Sequence, residues 1–265
     1  MRCASPAATA RWATQALDGL VYQPAWEALM VTTLGLGAAG DPAALPAAVA
    51  RFVARGGNVF DAQQQAPALG ASLAALFAAG RLQREQALVF AEGAADPTEA
   101  AALLAAGLCA PDDFVDAHCF APAGVRYQVK RALSQLGLAA LDLFWLGGAD
   151  TLYLARGEAE FRQRLREACA ALEVAAAQRE LAAYGLSLQT LPFPPALALE
   201  IAQDVLGTRH HLRALRLPLA EAARLRAADL HPLTLVAAAD HPPAAVPALA
   251  TTVIVAAGAW AAASP

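Results

Sequence analysis

The chain has 265 residues, a length that suits one large domain or two small ones. Its formal net charge of -4 gives no basic footprint for nucleic acid, which argues against that class of partner. Although 58% of the residues are hydrophobic, many are alanines, and the uncharged segment 242–265 is interrupted by prolines, so we expect neither a membrane span nor a secretory signal.

Short apolar runs alternate with longer stretches of helical spacing. Nine runs are predicted as strands: Val31–Leu36, Asn58–Phe60, Ala87–Phe90, Phe114–Asp116, Leu141–Leu146, Ala182–Leu186, Leu212–Leu217, Leu233–Ala237 and Thr251–Val255. Six stretches are predicted as helices: Ala43–Arg55, Ala68–Gly80, Arg126–Leu136, Glu158–Arg179, Ala196–Leu206 and Leu219–Ala228. About eight strand–helix units favour an α/β fold, a (β/α)8 TIM barrel whose functional residues lie at the C-terminal ends of the strands. We expect an N-terminal extension at 1–29 and a single barrel domain at 30–265.

A dinucleotide-binding fold is the competing interpretation. The segment "LGLGAAG" contains a G-x-G-x-x-G match from Gly35 to Gly40, after a predicted strand. Asp61 ends the next strand at roughly the distance of a ribose-binding acid. This alternative accounts for none of the later strand–helix units, so the barrel is favoured.

Several segments, in order along the chain, resemble blocks of the aldo/keto reductase family. They are "LGLGAAG", "ARGGNVFDAQQQAPALGASLAAL", "REQALVFAEG", "VKRALSQLGLAALDLFWLGGAD", "AAYGLSLQ" and "HHLRALRLP", with a fainter similarity at "TTVIVAAG". The family pattern reads G-x-N-x-x-D-T-A-x-x-Y at the second strand, T-K at the third, L-D-L-x-x-x-H at the fourth and G-x-S at the fifth. The resemblance implies the family's barrel and, in its active members, hydride transfer from NADPH to a carbonyl with a tyrosine as proton donor.

Only one of the family's four catalytic positions holds the family's residue. Asp61 matches the aspartate, whereas Ala66, Glu92 and Gly147 stand where the family has tyrosine, lysine and histidine. The proton donor is therefore missing, and Asp61 and Glu92 are expected to face each other without the lysine. One of the two carboxyl groups would then tend to stay protonated.

The cofactor side of the resemblance is also incomplete. Ser187 matches a serine that holds the nicotinamide amide, and Arg216 falls on the position of a glutamine that does the same. No Lys or Arg follows Arg226 to grip an adenosine 2′-phosphate, and the C-terminal part is expected to be shortened. We therefore expect no cofactor, with NADP as the alternative.

The substitutions favour a degenerate, truncated member of the family. We expect a bacterial, cytoplasmic pseudoenzyme that binds a small molecule or assembles with itself or with an active relative. An active NADP(H)-dependent oxidoreductase stays open as an alternative and would need a donor such as Tyr127, Tyr153 or Tyr184. A lyase or hydrolase that uses Asp61 and Glu92 is the other alternative.

Other groups of reactive side chains have structural interpretations. The cysteines form no C-x-x-C pair, which predicts free thiols in a reduced compartment. The cluster Cys109, Asp112, Asp113, Asp116, His118 and Cys119 matches no zinc spacing, and His210 and His211 would point to opposite faces of a strand, so no metal site is predicted. Asp142 and Trp145 on the fourth barrel strand are expected to be structural, with ligand stacking as the alternative for Trp145. His231-Pro232 and His241-Pro242 are predicted turns.

Overall fold

A computed structural model of the chain describes residues 3–15, 20–63, 65–225, 233–239 and 250–258. Within these residues, eight parallel strands form a closed barrel. The strands are β1 (Leu34–Gly37), β2 (Val59–Asp61), β3 (Leu88–Gly93), β4 (Leu141–Gly147), β5 (Leu181–Ser187), β6 (Leu212–Pro218), β7 (Thr234–Ala239) and β8 (Ala250–Ala256). Each strand pairs with the next along the chain and β8 pairs with β1, which confirms the predicted TIM barrel.

Helices surround the described part of the barrel. They are α1 (Pro6–Gln15), α2 (Leu45–Ala54), α3 (Ala66–Ala78), α4 (Pro97–Ala105), α5 (Pro122–Leu136), α6 (Ala149–Ala177), α7 (Pro195–Leu206) and α8 (Leu219–Ala222). A proline in the first turn suits α2 to α5 and α7, because that turn needs no amide donor there. Gly157 interrupts α6 with a φ of 76°, so a further helical segment precedes the predicted start at Glu158. No helix among the described residues is long and apolar enough to cross a membrane.

The segment before β1 closes the N-terminal end of the barrel. Tyr22–Pro24 and Met30–Thr32 form a two-stranded antiparallel ladder, so the predicted strand Val31–Leu36 is divided between this ladder and β1. Trp26, Leu29 and Val31 pack into the apolar cluster inside the barrel. The residues assigned to an N-terminal extension therefore contribute to the barrel core.

A buried ion pair fastens the same end of the molecule. The Asp142 carboxylate lies 2.8 Å from Arg84 and accepts hydrogen bonds from the amides of Ala4 and Val89, at 2.6 and 2.8 Å. Arg84 also donates to the carbonyls of Ala87 and Ala140. Both carboxylate oxygens of Asp142 and both Nη atoms of Arg84 thus have partners, which offsets the cost of burying the two charges.

The predicted strand Phe114–Asp116 is present as Phe114–Val115, but it lies outside the barrel and pairs with His118–Cys119 in a short hairpin. The dinucleotide-binding alternative fails because the sheet closes on itself. Gly35 and Gly37 allow close packing, whereas Gly40 adopts a positive φ of 91°. A Cβ on Gly35 would lie 2.6 Å from Ile254, on the neighbouring strand β8. The predicted end of the last helix at Ala228 and the turns at His231-Pro232 and His241-Pro242 lie outside the described residues.

Candidate functional site

Side chains that point into the barrel alternate along each strand with those that face the helices. On β4, Leu143 and Trp145 belong to the interior cluster, whereas Phe144 and Leu146 pack outward. Trp145 therefore fills the barrel, where Gly185 makes room for its ring.

The same alternation places three charged residues at the C-terminal mouth. On β2, β3 and β6 the interior residues Val59, Phe90 and Ala214 are each followed, two positions later, by a charged residue. These are Asp61, Glu92 and Arg216. Although up to 155 positions separate them, they lie in one hydrogen-bonded group.

Arg216 is the centre of this group. Its Nη1 donates to Asp61 at 2.7 Å and its Nη2 donates to Glu92. Ser187 accepts from both Nε and Nη2, at 3.1 and 2.7 Å. The guanidinium also stacks 5.2 Å above the ring of Trp145, a favourable arrangement for a cation on an aromatic face.

The two carboxyl groups differ in their electrostatics. Asp61 is 0% exposed, and burial raises its pKa. The charge of Arg216 lowers this pKa and the charge of Glu92 raises it, and the net effect is a raised pKa. Burial also disfavours the charged form of Glu92, but the charge and hydrogen bond of Arg216 outweigh it and lower the pKa of Glu92. Sharing one guanidinium thus leaves Glu92 ionised and makes Asp61 the carboxyl group that more readily holds a proton.

Asp61 and Glu92 come together without a lysine, and β6 supplies a different cation, Arg216, that bonds to both. The resemblance assigned Arg216 to a cofactor-amide position, yet its hydrogen bonds go to Asp61, Glu92 and Ser187. A charged residue at an inward position of an apolar strand was the available signal. Whether Ser187 and Arg216 also hold a cofactor stays a prediction.

A histidine occupies the space that Gly147 leaves open. A Cβ on Gly147 would lie 2.6 Å from Nδ1 of His118 and 2.8 Å from Oε1 of Glu92. Nδ1 of His118 is 2.9 Å from the carbonyl oxygen of Gly93, so Nδ1 carries a proton and donates to this carbonyl. An imidazole therefore stands beside Glu92, delivered by the hairpin before β4 rather than by β4 itself.

Above these residues lies a cavity of about 1090 Å³. Glu92, His118, Ser187 and Arg216 line it, as does Ala66, one of the substituted family positions. Asp61 is buried beneath Arg216 and is not among the lining residues. The cavity is therefore open to Glu92 and His118, while Asp61 acts on it only through Arg216.

Gln128 adds an unsatisfied amide to this cavity. The side chain comes from α5, lines the cavity and is 2% exposed, yet neither its nitrogen nor its oxygen has a hydrogen-bond partner among the described residues. Leaving such an amide without partners costs about 1–3 kcal/mol for each group. The wall of the cavity therefore includes a buried amide whose hydrogen-bonding capacity is unused.

None of the four tyrosines lines the cavity, and all of them lie in the described part of the chain. Tyr127 is exposed on α5, and Tyr153 packs on Phe161. Tyr184 is buried and donates to Glu173 at 2.9 Å, and burial strongly raises its pKa. The three phenols considered as replacement donors are therefore not at the mouth.

The remaining candidate groups are dispersed. Asp112 and Asp113 pair with Arg156 and Arg164, and His211 pairs with Glu173. Among the described residues, no group of three or more His, Cys, Asp or Glu side chains is arranged to hold a metal ion. From the group Cys109, Asp112, Asp113, Asp116, His118 and Cys119, the sulfur atoms of Cys109 and Cys119 contact each other.

Comparisons with known proteins agree with this architecture. No family model matches the chain, and no curated protein matches it. Two solved structures, each described as a "putative aldo-keto reductase" from Pseudomonas aeruginosa, are similar to it. The first has a TM-score of 0.57 and 19% identity, covering 92% of this chain and 96% of its own. The second has a TM-score of 0.56 and 17% identity, covering 94% and 97%. The chain thus has the fold of aldo/keto reductases.

Proposed function

We propose that this chain is a pseudoenzyme of the aldo/keto reductase fold that no longer reduces carbonyls and instead binds a small polar ligand in the mouth of its barrel. The observation that supports this proposal best is the set of hydrogen bonds made by Arg216. Its guanidinium makes four hydrogen bonds to Asp61, Glu92 and Ser187. The polar side chains at the mouth of the barrel are therefore bonded to one another and not arranged around a reacting carbonyl.

The missing proton donor supports the loss of reduction. Transfer of a hydride to a carbonyl leaves a negative oxygen, which a general acid at hydrogen-bond distance must protonate. The methyl group of Ala66 stands at the family's tyrosine position on the cavity wall. The chain's one lysine, Lys130, is on the outer face of α5, and Asp61 is shielded by Arg216.

The polar lining of the cavity indicates what a ligand would offer. Glu92 accepts hydrogen bonds, Gln128 can both donate and accept, and His118 offers its second ring nitrogen. Against these stand several alanines, including Ala66, Ala91 and Ala132. A neutral ligand with an amide-like group and a compact apolar body fits this lining best.

Addition of NADPH and an aldehyde to the protein tests the first half of the proposal, the loss of carbonyl reduction. Trp145 lies directly beneath Arg216, so its fluorescence reports binding at the mouth. We expect no aldehyde-dependent oxidation of NADPH. Turnover in step with aldehyde consumption would overturn the proposal, particularly if Glu92→Gln abolished it.

Matched aromatic probes test the second half. Benzamide, benzoate and benzylamine share a ring but differ in hydrogen-bonding groups. We expect ligand-detected NMR to show saturation transfer to benzamide, weakened several-fold by Gln128→Leu. Gln135→Leu is the matched control, because Gln135 lies on the same helix and also lines the cavity but is partly exposed. Equal signals from the three probes, or loss with both variants, would contradict an amide-selective site.

A second candidate function is proton transfer by Glu92 and His118. The predicted pair for a lyase or hydrolase was Asp61 and Glu92, but Asp61 does not line the cavity, whereas His118 and Glu92 do. An ionised Glu92 would act as the base and His118 would relay the proton. Deuteration of enolisable ketones in D2O, lost in Glu92→Gln and in His118→Asn, would favour this function over ligand binding alone.

Assembly with a second copy or with an active relative stays a prediction. The exposed large apolar side chains are spread over the surface: Val21 precedes the two-stranded ladder, and Leu154 and Val174 lie near opposite ends of α6. Size-exclusion chromatography with light scattering, alone and mixed with an active aldo/keto reductase, measures it. A monomer in both experiments would leave ligand binding as the proposed role.

A further inference from the structure

Cys109 and Cys119 lie in direct contact beside the cavity. Cys109 is in the loop after α4, and Cys119 is in the hairpin strand His118–Cys119. Their sulfur atoms are 2.6 Å apart, only about 0.5 Å beyond the length of a disulfide bond. Both are free thiols in this structure.

The surroundings are shaped around this pair. Gly124 lies in the first turn of α5, and a Cβ there would meet the sulfur of Cys109 at 2.5 Å and would meet that of Cys119 as well. Ala95 and Leu103 complete an apolar cluster around the two thiols. A missing side chain on α5 therefore gives both sulfur atoms their room.

The pair is better suited to oxidation than to holding a metal. Two thiols alone do not complete a tetrahedral zinc site, and no third ligand joins them among the residues that the structure describes. Two sulfur atoms within bonding range of each other need little backbone movement to form a disulfide.

We propose that Cys109 and Cys119 form a reversible disulfide, with a hydroperoxide as the oxidant. Cys109 is 9% exposed and Cys119 is 0% exposed, so the peroxide reaches Cys109 first. The Cys109 sulfur attacks one peroxide oxygen, the O–O bond breaks, and a sulfenic acid forms with release of water or alcohol. Cys119 then attacks the Cys109 sulfur, the S–O bond breaks, and a second water leaves. Two thiols are oxidised and one peroxide is reduced, and an external dithiol reverses the change.

The reaction is slow at neutral pH, since burial raises the pKa of both thiols and leaves little thiolate. The slow reaction means that the disulfide forms under sustained oxidation, whereas a site that removes peroxide would have to react rapidly.

Oxidation would be transmitted to the mouth of the barrel through one peptide bond. His118, whose imidazole fills the space above Gly147, directly precedes Cys119. A bond from Cys119 to the loop after α4 fixes the hairpin strand that holds this imidazole. This second step rests on the proposed ligand site at the mouth, whereas the disulfide itself does not.

Thiol counting and peptide mapping test the disulfide. After hydrogen peroxide treatment, the denatured protein should show two reactive thiols instead of four, with Cys109 linked to Cys119 in non-reducing digests. Cys169→Ser is the matched control, because Cys169 is buried on α6 and should leave the link intact. Cys109→Ser should abolish it. Four remaining thiols, a bond to Cys3 or Cys169, or sulfinic acid on Cys109 without a link would overturn the proposal.

Chemical modification of His118 tests the connection to the mouth. Diethyl pyrocarbonate should modify His118 several-fold more slowly in the oxidised than in the reduced protein, as followed by mass spectrometry of the peptide. Peroxide should leave the rate unchanged in Cys109→Ser. Equal rates in both redox states of the native chain would refute the connection, and failure of benzamide to bind would refute only the ligand proposal.

Discussion

Replacement of Arg216 by methionine tests the central claim that one guanidinium holds two carboxylates at the mouth. Methionine keeps an apolar stem above Trp145 but removes all four hydrogen bonds to Asp61, Glu92 and Ser187. Breaking a buried ion pair by removing one partner costs about 3–5 kcal/mol. The loss of stability is limited, because an unpaired carboxylate can become neutral by binding a proton.

Protonation of the unpaired carboxylates makes the loss of stability depend on pH. At 1.36 kcal/mol for each pH unit, protonating a carboxyl group of ordinary pKa near 4 costs about 4 kcal/mol at pH 7 and about 1.4 kcal/mol at pH 5. Without Arg216, both carboxyl groups have a folded-state pKa above the unfolded value. Their contribution to stability is then present at low pH and is lost as the pH rises through the folded pKa. We expect Arg216→Met to lose about 3–5 kcal/mol at pH 7 and about 1–2 kcal/mol at pH 5.

Urea unfolding followed by tryptophan fluorescence measures both values. Arg213→Met is the matched control on the same strand, because Arg213 is partly exposed and donates only to backbone carbonyls. A loss below about 1 kcal/mol at pH 7, which is the range of surface ion pairs, would refute the reasoning. Equal losses at pH 5 and pH 7 would show that the two carboxyl groups are not the source of the cost.

Three further predictions follow from buried groups. Asp142→Asn should lower the free energy of unfolding by about 3–5 kcal/mol in urea, because it leaves Arg84 charged and buried without its partner, and a loss under about 1 kcal/mol would contradict this. Burial raises the pKa of Asp61, so the stability of the wild type relative to Asp61→Asn should fall as the pH rises above the ordinary aspartate value of 3.8. Thermal unfolding from pH 3 to 8 measures this difference, and a rise with pH would contradict the prediction. Gly124→Ala forces a methyl group between two thiols and should cost about 1–3 kcal/mol and suppress their peroxide-driven link, and an unchanged melting temperature together with normal linkage would show that this glycine is not needed.

The barrel could be predicted because its evidence repeats. Each strand–helix unit gives an independent periodic signal, so one additional strand at Phe114–Asp116 did not change the predicted architecture. Its place outside the barrel could not be predicted, because a short hairpin strand has the same local pattern as a short barrel strand. The alanine-rich helix α4 was missed because its composition gives little contrast between faces.

The site was only partly predictable, because it depends on contacts between distant residues. Asp61, Glu92, Ala66 and Gly147 were identified from the resemblance of their segments to blocks of the aldo/keto reductase family. The partners that compensate could not be identified in this way, since Arg216 reaches Asp61 from 155 positions away, and His118 enters from a hairpin between strands. Substitution at one position and compensation from another leave separate marks in a sequence, and only folding brings them together.

The closed sheet has a consequence for synthesis on the ribosome. β1 is the first of the barrel strands to be made and β8 is the last, yet they are neighbours, and Gln23 of the two-stranded antiparallel ladder also donates to the carbonyl of Ala250 at 2.9 Å. An emerging polypeptide therefore holds an unpaired β-edge until β8 has been made, and such edges can pair with foreign strands. The barrel thus closes only when the last of its strands is available.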